Sequence, residues 1–295
     1  RNVMQVVIEN KDLARKGILM RKFGQEIIKA IAGKKIHGIT AVPGGNHKTF
    51  MPEERAYFLD GKDIPTIDTI IEWCQATLDF IKGYHLQNHE WLDGFANFPS
   101  GHLGLVNEQG AMELYDGKLR AIDAEGRETL LIRDVDYAQH FSEEVKSWTF
   151  LKFPYIRELG RENGWNRVGP LARINVCKNI PTPLAEVERQ QFMNYTGGKP
   201  NNMTMHTHWA RLIEMLHCAE MIRDLLHDDE IMGDDLRTEG EHRNEGIGVI
   251  EAPRGTLIHH YLVDEKGKIT KCNLIVSTTH NNEAMNRAVK WVAEQ

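Results

Sequence analysis

The chain has 295 residues, 36 of them basic and 42 acidic, with 41% apolar residues and a formal net charge of -6. That acidic balance excludes a broad positive field for nucleic acid or an anionic membrane as the basis of function. The apolar share excludes a mainly disordered chain, and the length suffices to bury one large core or two modest ones. Cys74, Cys177, Cys218 and Cys272 lie far apart in sequence. They form no C-x-x-C pair of the kind that builds zinc, iron-sulfur or redox sites, and no dense disulfide framework, so a reducing compartment is expected.

No stretch approaches the 18 consecutive apolar residues of a membrane helix, and no short apolar signal core follows Arg1. The chain has no initiator Met and stops at Gln295 within a helical pattern, so it is expected to be a fragment of a longer polypeptide. From Asp12 to Ala32 the apolar residues Leu13, Ile18, Leu19, Phe23, Ile27 and Ile28 recur at helical spacing, with Asp12 able to cap the start and Gly33 the end. The stretch 34–51 is punctuated by Pro43, Gly44 and Gly45 and reads as a structured loop. Thr66 can cap a second helix, whose one face carries Ile67, Ile70, Ile71, Cys74, Leu78 and Ile81 and which runs to about His89.

Between Gly101 and Arg133 short apolar runs are separated by Asp116-Gly117 and Glu125-Gly126, which predicts a small antiparallel sheet with strands near 119–122 and 129–132. Residues 134–203 are aromatic and rich in Pro and Gly, with one helix predicted from Pro183 to Phe192. A third long helix is predicted from Thr204 to His227, where Trp209, Leu212, Ile213, Leu216, Ala219, Ile222 and Leu226 outline an apolar side. An acidic, solvated loop follows at 228–246. Strands are then predicted at 248–251, 256–263 and 269–276, with the turn Asp264-Glu265-Lys266-Gly267 joining the last two and a closing helix from Asn282. The pattern is α+β, with a long-helix bundle dominant and antiparallel β-segments near 101–133 and 247–280.

Few motifs carry chemistry. His85 and His89 share a helix face beside Glu90, but the order differs from H-E-x-x-H and no third ligand stands at a helpful spacing, so a zinc hydrolase has an incomplete ligand set. His206, His208 and His217 give no better set, and His259 and His260 on a strand point to opposite faces. No G-x-G-x-x-G, G-x-x-x-x-G-K-[ST] or G-x-S-x-G occurs. The scattered cysteines read as small buried apolar residues rather than nucleophiles. The informative segment is Glu251-Ala-Pro-Arg254-Gly-Thr-Leu, where Pro253 stiffens the backbone on one side of Arg254 and Gly255 frees it on the other. A guanidinium there either serves an anionic ligand in a cleft or pairs with Glu251 or another carboxylate.

This segment, continued to His260 and followed by Asn273-Leu-Ile-Val-Ser-Thr-Thr-His-Asn-Asn282, resembles the large subunit of nickel-iron hydrogenases, and in particular the soluble branch that couples hydrogen to NAD or related carriers. Lys35-Ile-His37-Gly, Ala41-Val-Pro-Gly-Gly45 and Ala210-Arg-Leu-Ile-Glu214 resemble the same family, so the likeness spans nearly the whole chain. It implies that Arg254 overhangs a nickel-iron centre whose iron carries cyanide and carbon monoxide. Arg254 and the Thr278 hydroxyl would donate to a buried cyanide, and Ala252 and Pro253 would line the same pocket. It also implies a magnesium site at the backbone carbonyl of Leu274.

The implied reaction is the reversible heterolysis of dihydrogen, with a metal as Lewis acid and a nearby base taking the proton; Arg254 serves either as that base or as electrostatic support. The resemblance further implies a partner carrying iron-sulfur clusters (the small hydrogenase subunit), a flavin-containing diaphorase module and a cytoplasmic heteromeric complex. The family holds its metals with two C-x-x-C pairs, and this chain has neither. Residues 1–295 therefore correspond to the middle of such a large subunit. They can surround the centre but not supply its cysteine ligands. The alternative is a metal-free relative with the same fold that binds quinone or acts as a scaffold.

Overall fold

The computed structural model describes residues 3–295; Arg1 and Asn2 lie outside the described residues. Two compact units are distinguished, one running to Thr77 and including Cys218–His242, the other comprising Leu78–His217 and Arg243–Gln295.

The first unit opens with α1 (Val3–Glu9) and α2 (Lys11–Ala32), which ends at Gly33 as the spacing predicts, the Gly33 N–H returning to the Lys29 carbonyl. The loop that follows contains a minimal hairpin, β1 (Ala41–Val42) and β2 (Gly45–Asn46), turned by Pro43-Gly44. Next comes α3 (Pro52–Asp60), a helix that the sequence pattern does not predict. Pro52 occupies its first turn and the Glu54 carboxylate accepts the Met51 N–H, but only Phe58 is buried, so no apolar stripe announces it. Then α4 (Ile67–Gln87) begins, with Thr66 Oγ1 accepting the Thr69 N–H. Its Ile67, Ile70, Ile71 and Cys74 are buried, as are Phe23, Phe50 and Phe58, whose rings meet edge-to-face (Phe23 on Phe58) and stacked (Phe50 on Phe58).

In the second unit α4 ends and is followed by α5 (His89–Leu92), β3 (Gly101–Val106), β4 (Lys118–Ile122), β5 (Glu128–Arg133), α6 (Tyr137–His140), β6 (Phe141–Val145) and β7 (Lys152–Ile156). After these come α7 (Gly160–Asn163), β8 (Asn166–Arg167), α8 (Pro170–Val176), α9 (Pro183–Tyr195) and α10 (Thr207–Leu226). The chain closes with β9 (Glu245–Ala252), β10 (Gly255–Val263), β11 (Ile269–Ile275), α11 (Ser277–His280) and α12 (Asn282–Ala293). The architecture is α+β as expected. One sheet has the order β5-β4-β3-β8, antiparallel except for the parallel β3/β8 edge, and another the order β11-β10-β9, while β6 and β7 form a separate hairpin.

The turn at Glu125-Gly126 is tight, with Gly126 N–H on the Asp123 carbonyl. Asp116-Gly117 makes no hairpin, because β3 and β4 pair from Val106 and Lys118 and the chain between them loops out through residues 107–117. The two sheets share one core of Leu103, Leu105, Leu119, Ala121 and Leu130 with Val249, Ile258 and Ile275, into which Tyr137, Phe141, Ile156 and Val168 also pack. Each fully buried aliphatic side chain there contributes about 1.5–3 kcal/mol. Within the aromatic, Pro- and Gly-rich stretch 134–203, α8 has all seven residues buried, so its sequence shows no amphipathic period.

Candidate functional site

The site is built around the turn from β9 to β10. The two strands pair up to Ala252 and Gly255, which leaves Pro253-Arg254 as a two-residue tip. Three neighbours hold that tip. Arg173 of α8 donates from Nη1 to Glu251 Oε2 at 2.6 Å and to the Ala252 carbonyl at 3.0 Å, while its Nε and Nη2 grip Glu214 of α10. Arg211 Nη1 donates to the Pro253 carbonyl at 3.0 Å. Finally, the backbone at Gly169 approaches so closely that an added Cβ would lie 2.8 Å from the Arg254 carbonyl oxygen, and one on Gly255 would lie 2.3 Å from Val168 Cγ2. Both glycines have positive φ, 102° and 135°, so only a residue without Cβ fits on both counts.

The Glu251 carboxylate is fully used. Its Oε1 accepts the Leu105 N–H at 3.0 Å and the Thr256 hydroxyl at 2.7 Å. Burial raises its carboxyl above the ordinary range, with Arg173 and Thr256 pulling against that. Burial would lower Arg173, but Glu214 and Glu251 outweigh it and hold the guanidinium proton above its ordinary range. The expected alternative pairing of Arg254 with Glu251 therefore does not occur. Arg254 is exposed and forms no hydrogen bond or ion pair among the described residues.

Arg254 lines a cavity of about 370 Å³ together with Arg167, Arg211, Thr204, Thr207, Thr278 and Asn281 over an apolar floor that includes Leu171 and Met285. No lining residue is acidic. Thr278 belongs to α11, which Ser277 ties to the turn through a 2.7 Å bond from its Oγ to the Gly255 carbonyl. Asn281 Oδ1 accepts the Val168 N–H at 3.0 Å and joins α11 to the start of α8. The structure thus brings Arg254 and Thr278 to one cavity. Ala252 and Pro253 adjoin it and use their carbonyls to receive Arg173 and Arg211. Leu274 lies on the edge strand β11 opposite His259, outside the cavity lining.

Sequence pattern alone does not single out Arg167, Arg173 or Glu214 as site residues. The available signal is a charged residue inside the otherwise apolar run Val168-Gly-Pro-Leu-Ala-Arg173-Ile. Arg167 is 6% exposed, its Nη1 donates to the Asn202 carbonyl and Thr204 Oγ1, and its Cζ stacks 4.4 Å over the Phe98 ring. Burial lowers it to about 10.

His85 and His89 do not meet. His85 is buried edge-to-face on His206, while His89 is exposed and bonded to the Leu86 carbonyl. His206 in turn bonds Asp93 at 2.8 Å, and Tyr195 donates to the same carboxylate at 2.6 Å. Among the described residues no three His, Cys, Asp or Glu side chains are placed to hold a metal ion, so His85 and His89 find no third ligand there. His259 and His260 do point apart, the first to Tyr261 and the second to Tyr137 and Glu245. Cys74 and Cys177 are buried, and burial pushes both thiols up to about 12, which fits small apolar residues; Cys218 and Cys272 are exposed, contrary to the expected burial of all four.

No helix among the described residues is long and apolar enough to cross a membrane. Over its whole length the chain is 46% identical to the NAD-reducing hydrogenase HoxS subunit beta of Cupriavidus necator, of which it covers 61%. It is 39% identical to the F420-non-reducing hydrogenase vhc chain of Methanococcus voltae, covering 62%. The crystal structure of an NAD+-reducing NiFe hydrogenase in the H2-reduced state superposes with a TM-score of 0.93 and 45% identity over 98% of this chain and 63% of that one. The Ni-Fe-Se hydrogenase from D. vulgaris Hildenborough shares the fold at a TM-score of 0.68 and 17% identity, over 92% of this chain and 60% of that one. The chain spans about three fifths of the length of these relatives. Residues 103–291 match the family described as nickel-dependent hydrogenase, and the chain belongs to that family.

Proposed function

We propose that the full-length protein is a cytoplasmic hydrogenase large subunit that oxidises dihydrogen reversibly. Its electrons would pass first to a small iron-sulfur subunit, then through a flavin-containing diaphorase module to NAD or a related carrier. In this reading residues 1–295 are the central part of the large subunit. The observation that carries it is the meeting of Arg254 and Thr278 at a cavity lined by three guanidinium groups and no carboxylate.

The lining fits a nickel-iron centre whose iron carries cyanide and carbon monoxide, because a buried cyanide needs donors and positive charge. Arg254 and Thr278 would hold such a cyanide. The described residues offer no ligand set for the metals themselves, so the cysteines would come from the remainder of the large subunit. When bound, such a centre would supply Lewis-acid chemistry toward dihydrogen. Arg254 contributes a fixed charge and a donor fork, and without a carboxylate partner it is free to turn that fork inward. Arg211 and Arg173 keep the turn beneath it in place. Leu171 and Met285 add an apolar part to the lining. The proposal also includes a magnesium ion at the Leu274 carbonyl, around which the described residues offer no cluster of metal-binding side chains.

The test uses the full-length, nickel-matured enzyme. Arg254→Ala should lower hydrogen uptake by about a hundredfold or more, the size of effect seen when a positioned donor is removed from a catalytic centre. Normal uptake in that variant, or active protein free of nickel and iron, would overturn the proposal.

A further inference from the structure

The wall of the cavity contains a buried arginine whose charge nothing among the described residues balances. Arg167 is 6% exposed, yet among the described residues its hydrogen-bond and ring partners are neutral: the Asn202 carbonyl, the Thr204 hydroxyl and the Phe98 ring. Its Nε and Nη2 have no hydrogen-bond partner. The buried His102 nearby adds no negative charge, and burial together with the Arg167 charge lowers it to about 3. On α8, a few residues on, the fold treats a guanidinium very differently, giving Arg173 two carboxylates. A buried charge without compensation is strongly unfavourable, so its persistence calls for a counter-charge from outside the described side chains. The Arg167 site borders the same acid-free cavity as Arg254 and Arg211.

We infer that Arg167 is a second electrostatic positioning residue of this cavity, a buried counter-charge for the anionic cyanide ligands of the centre, acting through space. The inference rests on the proposed function. Arg254 at the exposed tip of the turn supplies donors, whereas Arg167 in the wall supplies field, because its free N–H groups are enclosed. A cation there stabilises the more negative, reduced form of the bound group, and low-dielectric surroundings strengthen the effect.

The experiment compares the matured wild-type enzyme with Arg167→Met and Arg167→Lys, reading nickel and iron content, the infrared stretching bands of cyanide and the midpoint potential of the centre. Arg167→Met should shift the cyanide bands and move the potential to more negative values, and Arg167→Lys should shift both less. Unshifted bands and potential in a fully loaded Arg167→Met enzyme overturn the inference. If Arg167→Met fails to load metal, Arg167→Lys decides: loading restored by the retained charge supports the inference, and failure of both variants overturns it by assigning Arg167 a purely structural part. A wild-type protein without nickel or cyanide bands overturns the proposed function instead, so the two failures are distinguishable.

Discussion

Arg173 and Glu251 form a buried ion pair, Nη1 to Oε2 at 2.6 Å, three residues before an arginine that has no acidic partner. Glu251 is the only carboxylate in its own motif, and by binding Arg173 it leaves Arg254 free for the cavity. Removing one member of a buried, hydrogen-bonded pair costs about 3–5 kcal/mol, since the other charge is left behind. Glu251→Ala should therefore lower unfolding stability by about that amount, and Glu251→Gln, which keeps an acceptor for Leu105 and Thr256, by less. A denaturant midpoint unchanged in Glu251→Ala would contradict this role of the pair.

The two glycines that flank the contact between the turn and α8 give a second prediction. An alanine at either Gly169 or Gly255 meets both a positive φ and a contact below 3.0 Å, to the Arg254 carbonyl and to Val168 respectively. Gly267 is the control: its φ is 74°, but nothing lies within 4 Å of an added Cβ. Gly267→Ala should cost about 1–2 kcal/mol, the ordinary left-handed penalty. Gly169→Ala and Gly255→Ala should cost more and, on the proposed function, also lower hydrogen uptake by the full-length enzyme, because they displace the turn that carries Arg254. Equal thermal midpoints for all three variants would show that the close contact has no energetic weight.

Acid sensitivity follows from three buried histidines. Burial lowers His85 and His280 to about 4 and, with the charge of Arg167, lowers His102 to about 3. Each would take up a proton at about 6.5 when unfolded. Between those values the unfolded chain binds more protons than the folded one, so stability falls as pH drops below about 6.5 and stops falling once the folded values are passed. At pH 5 the loss is about 2 kcal/mol for each of the enclosed pair His102 and His280. His280 packs edge-to-face on Phe141, and its Nε2 has no partner, so His280→Phe should keep the packing and flatten the pH profile of the thermal midpoint. A variant profile parallel to the wild type would rule out this cause.

Thiol chemistry divides the four cysteines. Cys74 and Cys177 are buried with thiols pushed up to about 12, so they remain unmodified in native protein, whereas Cys218 and Cys272 are exposed. Brief treatment of the native protein with iodoacetamide, followed by peptide mapping, should find label at Cys218 and Cys272 and not at Cys74 or Cys177. Label at Cys177 without prior unfolding would be inconsistent with its burial inside the second unit.

The long helices and the three C-terminal strands are legible in the sequence because each carries its periodicity in full. The predicted Asn282 start of α12 and the Gly33 end of α2 match the structure. What escapes is of two kinds. α3 and α8 lack a two-sided pattern, the first because it buries a single side chain and the second because it buries all of them. Likewise, the site is half visible. Arg254 and Thr278 stand in recognisable blocks, but Arg167 and Arg173 acquire meaning only from what touches them, and neither Phe98 nor Glu214 is near them in sequence.

The free state of Arg254 bears on how the pocket can change. Its side chain contributes no hydrogen bond or ion pair among the described residues, while the turn beneath it is held by Arg173, Arg211 and a backbone contact with Gly169. On the proposed function, reactivity and foldedness therefore rest on different side chains that meet at one turn. The tip can be exchanged as a module, so substitution at position 254 should leave the protein folded, and on the proposed function such a variant would be inert but intact.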